Sequence, residues 1–284
     1  MVFLDKSVNC SSFAALASLK RVFGTKRVGH TGTLDPFASG LMIALVGGAT
    51  RCAQLFSELD KQYEAVFSFG TETVTDDLMG DVTRSSPPPS FDRIQRALQR
   101  FRGEIEQRPP AYSAIHIDGV RAHKLAREGR EVDVPTRRIT VHELSVRAIT
   151  DTEIAVLIHC SSGTYVRSIA RDLGRETGSA AHVRSLRRTA VGPFAVEEAV
   201  SQQTVALSDL HAVLPALERL GSLARYELSD EELALVRNGG RLTTPDSGVP
   251  EAPTLLTQNG SLFAIGEWRE LQFQYRMVYP EGIA

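Results

Sequence analysis

The chain has 284 residues, of which 42% are apolar and 23% are charged, and its formal net charge is −2. These values are typical of a globular protein, and the length fits one large domain or a large domain followed by a small one. No apolar run reaches the length of a transmembrane helix and no signal-peptide pattern is seen, so we expect a cytoplasmic protein without a membrane anchor.

The first part of the chain mixes predicted helices and strands. Apolar residues follow a helical period at 11–23 after a serine cap, and 90–103 is a second helical segment that ends at a glycine. An apolar run from Leu41 predicts a strand, and the alternation at 61–70 predicts a half-buried one. The polar, proline-rich stretch 71–90 predicts a surface loop.

Two further predicted strands lie between Arg137 and Ser161, and a helix follows that opens near Tyr165. Helices are interspersed among the strands without the regular alternation of a doubly wound protein. The sequence therefore predicts an α+β fold, with a mixed and mostly antiparallel sheet and flanking helices.

The composition changes near residue 222. From Tyr226 onward there are nine acidic residues and four arginines. This tail reads as a helix, a Gly-Gly turn and short strands, with "QNGS" as a hairpin turn between two of them. We therefore expect one domain at 1–222 and a small β-rich domain at 223–284.

Basic residues cluster at three places in the larger part. Four lie in 20–27, six lie in 121–138, and six arginines lie in 165–188. Such patches can bind phosphate whatever the net charge is. Each cluster alone fits a solvated charged face better, and the three together raise the case for a nucleic-acid partner without settling it.

Asp35 is the only acidic residue between Lys26 and Arg51. An Asp before Pro commonly starts a turn, but glycines on both sides would here allow a bulky ligand to approach. A carboxylate in this place can act as a nucleophile, a base or a metal ligand. No second acid lies nearby for paired-carboxylate hydrolysis. The three cysteines and seven histidines show no metal-ligand spacing, so we expect neither a metal nor a cofactor.

The stretch "VGHTGTLDPFASGLMIAL" (28–45) resembles the signature of the TruB family of tRNA pseudouridine synthases. Five further segments resemble other motifs of the family in the same order: "LDKSVNCSSF", "KQYEA", "PPAYSAIHIDGVRAHKLAREG", "HCSSGTYVRSIARDLG" and "GSAAHVRSLRRTAVGPF". The resemblance covers roughly residues 3–210, and the acidic tail resembles, more weakly, the PUA-type RNA-binding module that often follows.

The resemblance implies the pseudouridine synthase fold and a cofactor-free reaction on the uridine at position 55 of the tRNA T loop. In that reaction the uracil is detached, rotated and rejoined through carbon 5. Asp35 matches the family's catalytic aspartate, which bonds covalently to the target nucleotide. Arg167 matches an arginine expected to keep that carboxylate ionised. Tyr63 matches a tyrosine expected to stack on the flipped base and, if activated, to act as a base.

Five more residues are expected to contact the RNA on the same grounds. His30 matches the histidine that fills the space left by the flipped base, although it could be a structural turn residue. Thr31 offers a hydroxyl, and Asp77 keeps one acid of the family's T-D-T-x-D-x-x-G stretch. Leu186 matches an apolar pocket residue or is plain core, and Tyr165 has no defined role. The implied partner is the T stem-loop of tRNA, bound by a monomer.

The chain departs from the family pattern in several places. Ser7 and Asn9 replace a Pro and a Gly, so we expect a less rigid first turn. Val74 replaces the first Asp of the T-D-T-x-D-x-x-G stretch, and His116 and His123 replace a Lys and a Tyr. None of these changes affects the three candidate catalytic residues, so we expect an active enzyme, with tRNA affinity the property most open to change.

Three alternatives stay open. A non-catalytic RNA-binding or tRNA-folding protein could keep the same fold. A guide-RNA-dependent synthase subunit would be expected to carry a larger and basic tail. A small-molecule lyase or glycosidase would need a second carboxylate or a glycine-rich loop for a nucleotide cofactor.

Overall fold

The computed structural model describes residues 1–130, 132–243, 248 and 250–284. The strands, in chain order, are β1 Val2–Lys6, β2 Val28–His30, β3 Ser39–Val46, β4 Lys61–Phe69, β5 Thr71–Thr73, β6 Val82–Ser85, β7 Gly103–Gln107, β8 His116–Ile117, β9 Val120–Arg121, β10 Arg137–Ile149, β11 Glu153–Cys160, β12 Ala181–Val191, β13 Phe194–Ala195, β14 Val200–Ser201, β15 Ala224–Glu227, β16 Thr254–Gln258, β17 Ser261–Arg269 and β18 Gln272–Ile283. The helices are α1 Ser12–Val22, α2 Ala53–Ser57, α3 Phe91–Leu98, α4 Ala122–Arg127, α5 Val166–Glu176, α6 Val213–Glu218 and α7 Asp230–Arg237.

The larger sheet is mixed and mostly antiparallel. Its strands lie in the order β14-β1-β3-β12-β4-β11-β10-β7, with β2 on β3 and β13 on β12. β1 runs parallel to β14 and β3 runs parallel to β12. The central strand β4 alternates strictly, so that Tyr63, Ala65 and Phe67 are buried on one face. The register of β12 on β4 places Arg188 opposite Tyr63 and Leu186 opposite Ala65.

Two apolar cores lie on the two faces of this sheet. On one face α1, α3 and α5 pack over β4, β11 and β12, because each helix presents a stripe of apolar residues at helical spacing. On the other face, strand residues such as Phe3 and Ile43 pack against Leu255 and Leu262 of a second sheet, whose order is β15-β16-β17-β18. The second sheet is therefore joined to the first through shared apolar contacts. The domain boundary at residue 222 stays a prediction.

Most of the predicted elements are present. Ser11 caps α1 by accepting a hydrogen bond from the backbone N–H of Ala14, and α5 opens directly after Tyr165. Asn259 and Gly260 both adopt positive φ between β16 and β17, as the "QNGS" turn requires. The helix expected at 90–103 is shorter, because α3 ends at Leu98 and a 3-10 turn follows.

The expectation of a surface loop at 71–90 was wrong for residues 71–85. Residues 71–85 form the β5–β6 hairpin, and four polar side chains of its first strand and turn are buried: Glu72, Thr73, Asp76 and Asp77. Polar composition indicated solvent, but these acids face arginines of α5 instead. No described helix is both long and apolar enough to cross a membrane.

Candidate active site

Asp35 lies in the loop between β2 and β3, and hydrogen bonds fix the backbone of this loop. The hydroxyl of Ser12 on α1 accepts from the backbone N–H of Leu34 at 2.8 Å and donates to the Leu34 carbonyl oxygen at 2.9 Å. The backbone N–H of Ala38 donates to the carbonyl oxygen of Asp35 at 3.1 Å. The position of Asp35 is therefore set by the fold before any ligand binds.

Lys6 holds the C-terminal end of the same loop through a hydrogen bond to Ala38. Its side chain is fully buried, and Nζ donates to the carbonyl oxygens of Ser7, Cys10 and Ala38 at 2.9, 2.7 and 2.6 Å. A buried ammonium needs such partners, because an unpaired one would be very costly. The same contacts hold the first turn, where Asn9 adopts the positive φ of 58° that the family's glycine would accept. The expectation of a less rigid first turn stays a prediction.

Arg188 on β12 contacts the backbone of the Asp35 loop and of β3, which follows it. It is 2% exposed, and it donates to the carbonyl oxygens of Leu41 (Nε, 2.7 Å) and Gly32 (Nη2, 3.1 Å). Gly40 adopts φ +106° where β3 meets β12, and a Cβ there would lie 2.2 Å from the carbonyl oxygen of Arg188. Only glycine lets the two backbones approach this closely.

Arg167, on the first turn of α5, holds the Asp35 carboxylate at two points. Nη2 donates to Oδ1 at 2.9 Å, and Nε lies 2.8 Å from Oδ2. The guanidinium is itself held, because Nη1 donates to the carbonyl oxygen of Thr75 at 2.7 Å and Nη2 to that of Tyr112 at 3.1 Å. Its side chain is 3% exposed, whereas that of Asp35 is 30% exposed. The acid is thus oriented by a buried cation and still open to a ligand.

The electrostatic balance at Asp35 favours the protonated acid more than in water. Partial burial raises the pKa of Asp35, and this effect outweighs the Arg167 guanidinium, which lowers it. The nearby carboxylate of Asp77 raises the pKa further, and the ammonium of Lys6 lowers it. Arg167 therefore limits a shift that would otherwise be larger.

Three arginines on one face of α5 meet the acids of the β5–β6 hairpin. Arg167, Arg171 and Arg175 are four residues apart and therefore share a helix face. Arg171 Nη1 lies 2.9 Å from Oδ2 of Asp76, and Arg175 Nε donates to Glu72 at 3.0 Å. Burial raises the pKa of Asp76 to about 6 although Arg171 lowers it. These ion pairs, which we call the arginine ladder, connect the hairpin turn to the helix that carries Arg167.

All six arginines of the third basic cluster have contacts within the protein. Three pair with acids of the hairpin, Arg184 pairs with Glu153, Arg187 pairs with Asp5, and Arg188 binds carbonyl oxygens. Phosphate contact by this cluster stays a prediction.

Tyr63 and His30 lie near Arg188, and Leu186 lies near Phe37 of the Asp35 loop. Tyr63 is 9% exposed, and burial raises the pKa of its phenol to about 12. Burial, followed by the positive charge of Arg188, lowers the pKa of His30, so its ring is neutral at neutral pH. The buried Nδ1 of that ring has no partner in the part of the chain that the structure describes. Leu186 lines a cavity of about 260 Å³ together with Phe37.

The other predicted contacts have protein partners. The ring of Tyr165 stacks with Arg137, whose guanidinium carbon is 4.7 Å from the ring centre, and its backbone exchanges hydrogen bonds with Gln107. Thr31 is buried, and its N–H donates into β3. Asp77 Oδ1 accepts from Thr75 and from a backbone N–H, and its Oδ2 lies 3.5 Å from Arg167 Nη1.

Lys6, Ser12, Arg188 and Asp76 were not predicted as part of the site. Lys6 and Ser12 lie inside the opening segment that resembles the family motif, so the motif itself was a usable signal. Arg188 and Asp76 also lie inside segments that resemble family motifs, but their partners could not be read from the sequence: 95 residues separate Asp76 from Arg171.

Solved structures with the same fold define the class of the protein. A Cbf5-Nop10-Gar1 complex matches with a TM-score of 0.70 at 23% identity, over 98% of this chain and 84% of that one. An H/ACA RNP bound to a substrate RNA containing 2′-deoxyuridine matches with a TM-score of 0.69 at 20% identity, over 99% and 85% of the two chains. The fold is the α+β fold of the pseudouridine synthases, with an additional C-terminal sheet.

Sequence comparisons identify the family within that class. The family model of the TruB family pseudouridylate synthase N-terminal domain matches residues 20–166, and that of the tRNA pseudouridylate synthase B C-terminal domain matches residues 167–223. The tRNA pseudouridine synthase B of Rhizobium johnstonii is 37% identical over 98% of this chain and 95% of its own length. That of Borrelia garinii subsp. bavariensis is 38% identical over 94% of each. The chain belongs to the TruB family of pseudouridine synthases.

Proposed function

We propose that this protein converts the uridine at position 55 of the tRNA T loop to pseudouridine, with Asp35 as the nucleophile. The observation that carries the proposal is the two-point contact between Asp35 and the buried Arg167, on a loop fixed by Ser12, Lys6 and Arg188. The carboxylate has to be ionised and correctly placed to attack: Arg167 offsets part of the burial that raises the pKa of Asp35, and the fixed loop sets its position. The relatives' shared name, tRNA pseudouridine synthase B, supports tRNA as the substrate.

The remaining candidate residues suit the handling of a flipped base. Tyr63 offers a buried ring on which the extruded uracil can stack. Its high pKa means that any role as a base requires activation by the bound RNA. His30 supplies a neutral ring, which can replace the base in the T-loop stack without bringing a charge into it. Leu186 and Thr31 shape the pocket, and Asp77 positions Arg167.

RNA phosphates are proposed to contact the basic segment around α4. Arg121, Lys124, Arg127 and Arg130 are exposed there, unlike Arg167 and Arg171 of α5, which are buried. Exposed cations next to a pocket for a splayed base are what recognition of an RNA stem-loop needs. We further propose that the protein acts as a cytoplasmic monomer, and that it divides at residue 222 into a catalytic domain and a PUA-like RNA-binding domain.

Substitution of the nucleophile tests the proposal. Asp35→Asn removes the charge but keeps the shape, so pseudouridine formation on a T stem-loop should fall by more than about 10⁴-fold while the RNA still binds. Asp92→Asn, which changes an exposed acid on α3, is the matched control and should leave the rate unchanged. Turnover of Asp35→Asn within tenfold of the unmodified protein would refute the assignment.

A second measurement addresses the C-terminal sheet. Its deletion would expose the core that contains Leu255 and Leu262, so surface variants are the better test. Arg269 and Arg276 on β17 and β18 are exposed, and the double change to glutamate should weaken binding of full-length tRNA by about three- to tenfold. Single-turnover isomerisation of a saturating stem-loop should stay unchanged. A slower chemical step, with tRNA binding intact, would contradict an RNA-docking role.

The main alternatives make different predictions. A non-catalytic RNA-folding protein would form no pseudouridine, with or without Asp35. A guide-dependent subunit would need an added guide RNA, yet the curated relatives that match nearly the whole chain are tRNA pseudouridine synthase B proteins. Activity of the protein alone on a T stem-loop would exclude both.

A further inference from the structure

Asp60, His142 and His159 come together on the sheet face opposite the core that contains Tyr63. Nε2 of His142 lies 3.1 Å from Oδ2 of Asp60, and Nε2 of His159 lies 3.8 Å from the same oxygen. All three ligand atoms lie within 4.8 Å of one another. We propose that these residues bind one divalent cation of the zinc class, at a site separate from the proposed isomerisation.

Rigid elements supply all three side chains. The ligands come from three neighbouring strands of the sheet, since β4, β11 and β10 are adjacent and Asp60 directly precedes β4. Ile158 is buried in the core under the helices. Because neighbouring residues of a strand point to opposite faces of the sheet, His159 points to the other face. The carbonyl oxygen of Asp60 accepts from the N–H of Gly192 at 2.8 Å, which fixes its backbone.

A β-bulge places His142 next to the other two ligands. The pairing of β10 with β11 shifts register between Val141 and Glu143, and His142 is the extra residue. Bulges commonly redirect one side chain of a strand, often near functional sites. The ring centres of His142 and His159 are 4.7 Å apart as a result.

The geometry fits a tetrahedral site with one open position. Bonds of about 2.0–2.1 Å from zinc to nitrogen or carboxylate oxygen place neighbouring ligands about 3.4 Å apart. The two measured separations, 3.1 and 3.8 Å, lie on either side of that value. Two imidazoles and one carboxylate are a donor set for zinc, and for cobalt, nickel or copper, rather than for magnesium or calcium.

An ordinary histidine–aspartate hydrogen bond explains only part of the cluster. It accounts for His142 at 3.1 Å from Asp60, but His159, at 3.8 Å from the same oxygen, is beyond hydrogen-bond length. The neighbouring Lys61 does not occupy the carboxylate, since its ammonium donates to the carbonyl oxygens of Ser57 and Leu59, at 2.5 Å each.

Sequence spacing could not reveal this site. The expectation that no metal binds rested on motifs of closely spaced ligands, whereas Asp60, His142 and His159 are separated by many residues and meet only through strand pairing. A bound ion would join three adjacent strands and so stabilise the folded chain in proportion to its occupancy.

The test uses the full-length protein, freed of metal with EDTA and dialysed. Calorimetric titration with Zn²⁺ should show one site with a dissociation constant in the micromolar range or below, and saturation should raise Tm by about 5 °C. Titration with Co²⁺ should give the visible absorption of a four-coordinate site. His142→Ala and His159→Ala should each weaken binding by at least tenfold. His116→Ala, an exposed histidine on β8, is the control and should bind as before.

Pseudouridine formation should be unchanged in the two ligand variants, which separates this proposal from the proposed function. Absence of saturable Zn²⁺ and Co²⁺ binding by the unmodified protein would overturn the proposal. Binding that survives both His142→Ala and His159→Ala with equal affinity would also overturn it, because the ion would then lie elsewhere. If either variant fails to fold, the cobalt spectrum and the Tm shift of the unmodified protein decide alone.

Discussion

Two groups of buried cations hold the candidate site, and they work in different ways. Lys6 and Arg188 lie under the Asp35 loop and donate to backbone carbonyl oxygens. Arg167 and Arg171 on α5 pair with carboxylates. The first group fixes where the backbone runs, and its partners do not titrate. The second group holds acids whose pKa burial has raised, so its strength depends on pH.

The difference separates two requirements of the proposed chemistry. Position is set mainly by contacts to carbonyl oxygens, which do not titrate. Ionisation is set by the arginine ladder, where burial and cation act in opposite directions on the pKa of Asp35. Changes in the two groups should therefore be told apart by their pH dependence.

The largest effect is expected from Arg167→Ala. This change leaves Asp35 without its cation and frees the carbonyl oxygens of Thr75 and Tyr112. Loss of one partner of a buried pair typically costs about 3–5 kcal/mol of stability. Because the nucleophile also loses its orientation and its cation, we expect the single-turnover rate at neutral pH to fall by roughly 10³-fold. Arg184→Ala, which breaks an exposed ion pair with Glu153, should change the rate by less than about twofold. Equal losses in the two variants would contradict a specific role for Arg167.

A smaller loss is expected from Lys6→Met, which keeps the length of the side chain but removes the donor to three carbonyl oxygens, of which that of Ala38 is buried. We expect stability to fall by about 3 kcal/mol in urea unfolding. The rate should fall by about 10–100-fold, and the acid limb of its pH profile should move up by less than in Arg167→Ala, because Lys6 lowers the pKa of Asp35 less than Arg167 does. Lys26→Met changes an exposed lysine and should cost less than about 0.5 kcal/mol. An acid-limb shift as large as that of Arg167→Ala would show that Lys6 acts mainly on ionisation.

The smallest effect is a pH-dependent change in stability at Asp76. The folded chain holds the Asp76 proton up to about pH 6, whereas the unfolded chain releases it near pH 3.8. The stability contributed by this group is therefore full below pH 3.8 and is lost as the pH rises through 6, by about 3 kcal/mol. Asp76→Asn removes this loss, so its stability relative to the unmodified protein should improve between pH 4 and 7.

Asp172→Asn is the control for that measurement, because Asp172 contacts the same Arg171 but is 34% exposed. Its stability difference from the unmodified protein should change much less over this pH range. A pH-independent difference for Asp76→Asn would show that the acid is ionised in the folded chain throughout.

Local patterns were sufficient to predict the elements that carry the site. The apolar period and serine cap of α1, the strict alternation of β4 and the motif that opens α5 all act within a few turns of chain. Asp35, Tyr63 and Arg167 were singled out on motif resemblance, and their catalytic roles stay predictions.

Local patterns did not predict the burial of the β5–β6 hairpin, because that burial depends on long-range pairing. The polar sequence of the hairpin predicted a solvated loop, because the arginines that pair with its acids lie about a hundred residues further along the chain. For example, 103 residues separate Glu72 from Arg175. The carbonyl contacts of Arg188 also depend on the register of β12 beside β3, which no local pattern specifies. Sequence reasoning therefore found the candidate nucleophile and missed most of what holds it.

The pH dependence of the single-turnover rate tests the central claim, that Arg167 keeps Asp35 ionised, most directly. With saturating T stem-loop RNA, the unmodified protein should lose activity as Asp35 is protonated on the acid side. Arg167→Ala removes the main group that lowers the pKa of Asp35, so its acid limb should move to higher pH. Some activity should return above neutral pH, and Arg167→Lys should lie between the two. A profile of Arg167→Ala that is parallel to that of the unmodified protein at all pH values would contradict the claim and assign Arg167 to RNA binding.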